Sequence, residues 1–137
     1  SSTAATLNAW AHLVMTYDGS NIKLYVNGTL EDTQAATGNI GGSLASIQKF
    51  LVGDHNITKP GYNFDGRIDG VAIWDIALTA SDVTTLYNSG DGEDPSEVES
   101  SNLQGYWNFE DNANDLSSNN NDGTLFRATY VSDVPSD

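Results

Sequence analysis

FDGRIDGVAIWDIALTASDVTTLYNSG, residues Phe64 to Gly90, reads as one long strand running into one short helix. From Arg67 onward, Val71, Ile73, Asp75 and Ala77 alternate with Ala72, Trp74, Ile76 and Leu78. A run that is apolar on both sides suits a strand covered on both faces. A helix start follows. Thr79 with Asp82 three residues later forms a capping box of the Asp variety, and Leu78 is placed to staple onto Val83. Val83, Leu86 and Tyr87 give one apolar helical face, and Gly90 can supply the left-handed C-terminal residue. A helix over about 79–89 is too short to stand alone, so it must pack on the sheet that precedes it.

Upstream, Leu13, Met15 and Tyr17 alternate with His12, Val14 and Thr16, and after the turn Asp18-Gly19-Ser20-Asn21 a second strand sets Ile22, Leu24 and Val26 against Lys23 and Tyr25. Asn27-Gly28 is the strongest hairpin signal in the chain, because both residues accept positive φ at little cost. A more polar strand over 29–36, a glycine-rich loop over 38–43, a strand over 48–53 and a long loop over 55–63 complete the first half. Downstream, residues 91–102 form an acidic stretch whose sole apolar residue is Val98, read as a solvated connector. Strands are expected over 103–110 and 124–131, separated by the Asp/Asn-rich loop 111–123. The sum is an all-β, antiparallel two-sheet sandwich with one short capped helix.

The chain has 137 residues, enough for one domain with a real core. It has no cysteine, so neither a disulfide framework nor thiol chemistry is available. Nineteen acidic residues face five basic ones, a formal charge of −14. Such a surface repels nucleic acid and anionic membranes and attracts divalent cations. No signal peptide, membrane span or lipidation site is evident, and Ser1 reads as the start of a mature piece or a fragment. Abundant Asp, Asn, Ser, Thr and Gly with few Lys point to an extracellular or cell-surface setting.

Three blocks, WAHLVMTYDGSNIKLYVNG, FDGRIDGVAIWDIALTASDVTTLYN and GYWNFEDNANDLSSNNNDGTL, together resemble the laminin-G-like, concanavalin A-like lectin family of pentraxin-type jelly rolls. The resemblance implies an antiparallel jelly-roll sandwich. It also exposes a departure. In that family the segment like 105–125 comes first, and another strand block precedes the Trp-x-His strand. Here the first-strand segment comes last and the other block is missing. The expectation is one laminin-G-like sandwich over 1–137, in which 91–102 connects to a strand segment, 103–137, that belongs to or completes a neighbouring copy. An uncovered sheet edge would invite pairing with other copies.

Chemistry could reside in an oxygen-rich set. Asp69, set among apolar residues, needs an arginine, backbone donors or a cation to be buried at tolerable cost. The loop from Glu110 through Asp111, Asp115, Asn119, Asn120 and Asp122 offers the carboxylates, amides and carbonyls that a hard cation takes in sixes to eights. Related lectin-fold modules hold a structural calcium between the first-strand loop and the Ile-Asp strand. The resemblance therefore implies Asp69, Glu110 and Asp115 as calcium ligands, against the plainer reading of a solvated loop. For a glycan, Tyr62, His55, Asn56 and Asn63 offer an aromatic face with polar neighbours. Trp10, Trp74 and Trp107 read as core and His12 as structural.

Catalysis has no support. Retaining glycosidases need two closely spaced carboxylates in one cleft, and the glutamates here (Glu31, Glu93, Glu97, Glu99, Glu110) follow no such spacing. The functional expectation is a non-catalytic extracellular recognition or adhesion module that binds carbohydrate or protein. The alternatives are a structural repeat assembling with other copies of itself into a fibre or layer by intermolecular strand pairing, and an accessory module of a polysaccharide-degrading enzyme. No nucleic acid or membrane insertion is expected.

Overall fold

The structure is a computed structural model, and it describes residues 6–40, 50–54 and 63–131. Contacts divide the chain into two bodies: Ser1–Gly38 with Asp69–Asp137, and Asn39–Ile68.

The larger body carries two antiparallel sheets and one short helix, the make-up of a jelly-roll sandwich. Strands β1 (Leu13–Tyr17), β2 (Asn21–Val26) and β3 (Thr29–Ala35) form a three-stranded sheet in that order. Strand β4 (Val71–Trp74) pairs with β5 (Leu103–Trp107). The segment beginning at Leu103 thus pairs within its own chain. Two turns fix the first sheet. Asp18 accepts the N–H groups of Ser20 and Asn21 at 2.9 and 2.7 Å, closing the first hairpin. Asn27 and Gly28 both take positive φ, 49° and 74°, as a tight I′-type hairpin turn requires. A bulge between Leu24 and Tyr25 shifts the β2–β3 register.

Helix α1 (Ala80–Tyr87) starts as expected. The Thr79 N–H donates to the Asp82 carboxylate at 2.7 Å, and the Asp82 N–H returns to the Thr79 hydroxyl at 3.3 Å. Leu78 and Val83 both enter the core, completing the staple. The left-handed residue that ends the helix is Asn88 (φ 42°), two positions before Gly90, and its N–H bonds the Thr84 carbonyl. Val14 and Tyr25, from one face of the first sheet, meet Leu78, Val83 and Leu86. Val83 is wholly buried at 0 % exposure.

Several expectations fail, each for a visible reason. The long strand shrinks to Val71–Trp74, because Gly70 takes φ +55° immediately before it. Asp69 therefore lies outside the strand. The acidic connector is exposed along most of its length but anchored at one point: Val98 is buried in the core, and Trp74 donates its indole N–H to the Val98 carbonyl at 2.8 Å. Two short 3₁₀ turns, Pro95–Glu97 and Ser100–Asn102, bracket that anchor. Residues 124–131 form no strand, and Arg127 sits at φ +57° in their midst. Trp10 is 40 % exposed rather than core.

In the smaller body, residues 50–54 are not a strand. The Phe64 N–H donates to the Gly53 carbonyl at 2.7 Å, and the Ile68 side chain lies against Gly53. The rest of the strand expected there, Gln48 and Lys49, lies outside the described residues.

Candidate functional site

The Asp/Asn-rich loop after β5 is built around a single carboxylate. Asp115 is buried. Its Oδ1 accepts the N–H groups of Tyr106 and Ser117, both at 2.9 Å. Its Oδ2 accepts the Ser117 hydroxyl at 2.9 Å and the Asn121 N–H at 2.7 Å. Desolvation pushes this carboxyl up, but the backbone donors of Tyr106, Asn121 and Ser117, with the Ser117 hydroxyl, outweigh it and leave the group below its ordinary value. The asparagines then lash the loop to β5. Asn119 and Asn121 donate their amides to the Gln104 carbonyl at 3.2 and 2.9 Å, and the Trp107 indole donates to the Asn121 carbonyl at 3.1 Å.

This geometry bears on the calcium reading. Asp69, Glu110 and Asp115 do not converge: among the described residues no three acids or histidines come together as a metal-holding set. The Asp115 oxygens face N–H and O–H donors, where a cation would need lone pairs. The ligand set does not fit. Glu110 is exposed at the loop entrance. Asp69 is half-buried, and burial pushes its carboxyl up, partly offset by the Gly70 N–H. The Tyr106 phenol lies within electrostatic reach of both Asp69 and Glu110. Burial raises its pKa first, and then the charges of Asp94, Asp69 and Glu110. That the charge of Asp94, in the connector, reaches Tyr106 was not foreseen, since nothing local in its sequence places it there.

Of the residues expected to bind a glycan, Tyr62, His55 and Asn56 lie outside the described residues, and Asn63 is exposed. A shallow cleft of about 580 Å³ lies between the Asn27–Gly28 turn and α1, lined by Thr29, Ser81, Thr84, Tyr87 and Glu93 among others. Its polar groups are largely committed. The Asn27 amide oxygen accepts the His12 N–H at 2.9 Å, and the Thr84 hydroxyl donates to the Ala80 carbonyl at 2.9 Å. The Tyr87 ring stacks on His12 at 5.9 Å between centroids and closes on Gly28, so it serves packing rather than a sugar. His12 lies packed against that ring. Its buried Nδ1 has no hydrogen-bond partner, and desolvation lowers its pKa.

The most distinctive surface is one the sequence pattern implied without saying which side was covered. Register places Leu13 opposite Val26, Met15 opposite Leu24, and Tyr17 opposite Ile22, so these six share one face of the β1–β2 pair. The opposite face, with Val14 and Tyr25, is the one that meets the core. On the open face Leu13 is 61 %, Met15 71 % and Leu24 41 % exposed. Val26 on the same face is buried at 7 % exposure, so the open part of the face runs over Leu13, Met15 and Leu24.

Comparison with known proteins agrees with this architecture. Mouse (Mus musculus) Pappalysin-1 is 34 % identical over 77 residues, which cover 56 % of this chain and 5 % of that protein. The crystal structure of an S-layer domain-containing protein from Clostridium thermocellum superposes with a TM-score of 0.55 at 27 % identity, covering 64 % of this chain and 43 % of that one. The chain thus spans under half the length of either. Residues 1–84, well over half of the chain, match the Laminin_G_3 family, described as the concanavalin A-like lectin/glucanases superfamily. With the capped helix, the paired antiparallel sheets and the Asn27–Gly28 hairpin all in place, the chain belongs to that laminin-G-like family of concanavalin A-like domains.

Proposed function

We propose that this domain is a non-catalytic recognition or adhesion module of a surface or secreted protein, which docks onto a protein partner through the open face of β1 and β2. The observation that carries the reading is the exposure of Leu13, Met15 and Leu24 side by side on one sheet face. An uncovered apolar sheet face is a contact surface in need of a second layer. Similarity to an S-layer domain-containing protein supports the surface setting. The charge of −14 disfavours nucleic acid and anionic membranes as partners. No helix among the described residues is long and apolar enough to cross a membrane.

The test uses 8-anilinonaphthalene-1-sulfonate with the dilute folded protein. Dye fluorescence present in wild type and lost in Met15→Lys is expected. A folded wild type that leaves the dye dark would overturn the open face. Release of reducing ends from a β-glucan by the purified domain would overturn its non-catalytic character.

A further inference from the structure

Besides the exposed Leu13, Met15 and Leu24, the chain carries a segment of strand-forming pattern that pairs with no strand among the described residues. Residues 124–131, TLFRATYV, alternate Phe126, Ala128 and Tyr130 with Leu125, Arg127, Thr129 and Val131, a β-rich pattern. They nevertheless have no strand partner among the described residues, and Leu125, Phe126 and Val131 are exposed. Arg127 lies at φ +57°, its guanidinium 4.7 Å over the Phe126 ring, a local arrangement that occupies both side chains away from any sheet. Among the described residues strand β1 is an outer strand of its sheet, with β2 on one side. Its outer row of backbone donors and acceptors adjoins Leu13 and Met15. An open edge of this kind is a template for another strand.

We propose that the partner of the open face is a second copy of this chain, which adds its 124–131 segment alongside β1. The inference rests on the open-face reading above and names its occupant. On pairing, Arg127 leaves the left-handed region, 124–131 extends, and Phe126 and Tyr130 come down on the side of Leu13 and Met15. Main-chain bonds give the affinity and the aromatic side chains give the register, as in other strand additions. Arg127 brings one of only five cationic side chains to a molecule of formal charge −14. The remaining charge opposes approach of two copies, so association should strengthen with salt as repulsion is screened.

The experiment is sedimentation of the full chain across concentration, with two single-defect variants. Thr129→Pro removes a pairing N–H from a segment that is already unpaired. Met15→Glu places a charge on the open face without touching the core. The expected results are self-association of wild type, tighter by at least about tenfold on going from about 0.05 to about 0.5 M salt, and monomers for each variant alone. An equimolar mixture of the variants should pair, because one keeps the acceptor and the other the donor. Circular dichroism matching wild type excludes misfolding. The dye signal should also fall as wild type is concentrated.

A wild type that stays monomeric up to about 1 mM while binding the dye overturns the second copy and leaves the open face standing. A monomer that stays dark means that the face is closed, and both readings fall. A mixture that does not pair, or a Thr129→Pro chain that still associates, overturns the donor segment.

Discussion

Asp115 and Tyr106 are joined twice over: the Asp115 carboxylate accepts the Tyr106 N–H at 2.9 Å, and the Tyr106 carbonyl lies 2.7 Å from the N–H of the next residue, Leu116. A loop with almost no apolar content is thereby tied to β5 through an anionic group as well as through its asparagines. Replacing Asp115 by Ala strands two backbone donors of other segments, those of Tyr106 and Asn121, besides that of Ser117. Bonds to a charged acceptor contribute about 1.5–3 kcal/mol each in favourable cases and are not additive, so a loss of about 3 kcal/mol is expected in urea unfolding.

Acid should act through the same group. The folded-state pKa of Asp115 lies below the ordinary 3.8, so its contribution is fully present above that value and is lost as pH falls through the folded value. Asp115→Asn should therefore flatten the acid limb of the stability curve below about pH 4. Asp69 has the opposite sign, its folded pKa being raised by burial. Asp69→Asn should raise the melting temperature at neutral pH, as read by calorimetry.

Near neutrality the histidine among the described residues is His12. Its folded pKa is depressed by desolvation from 6.5, so its effect on stability is flat above 6.5 and turns unfavourable as pH falls below it. The expected outcome is a decline in stability as pH falls below 6.5 that His12→Gln largely removes. Chemical unfolding at a series of pH values measures this directly.

Gly28 combines a φ of 74° with a ring at its back: a Cβ there would stand 2.9 Å from Cδ1 of Tyr87. The left-handed backbone alone costs a non-glycine residue about 1–2 kcal/mol. Gly28→Ala should exceed that, whereas Thr79→Ala, which removes one cap, should cost about 1 kcal/mol.

A chelator should leave the melting temperature unchanged, since the Asp115 oxygens already have N–H and O–H partners. Saturating calcium that bound only the folded state would add about 2.7 kcal/mol at a hundredfold excess over its Kd. A rise of that size on adding calcium would assign a cation site to Asp69 or Glu110 in spite of the present geometry.

What could be read from the sequence was local. The Thr79–Asp82 box, the Leu78–Val83 staple, the Asp18 turn and the Asn27–Gly28 turn are each set by residues within a few positions of one another, and all are present. What escaped depends on distant partners. Alternation in β1 and β2 specifies two faces but not which is covered, and the covered side proved to be that of Val14 and Tyr25. The 91–102 stretch looked solvated because its charge outweighs a single valine, yet Val98 and the Trp74 indole decide its position. The acid-rich loop looked like a cation cage, since sequence shows oxygens but not the backbone N–H groups that reach them first.

That docked connector has a bearing on how the molecule withstands proteolysis. Glu93, Glu97 and Glu99 spell out a substrate for a glutamate-specific protease, and polar segments of this sort are where chains are ordinarily nicked. With Val98 seated in the interior, scission between Glu97 and Glu99 must wait for that side chain to be released. Trp74, by holding the Val98 carbonyl, governs the lifetime of a bond twenty-four positions away in sequence.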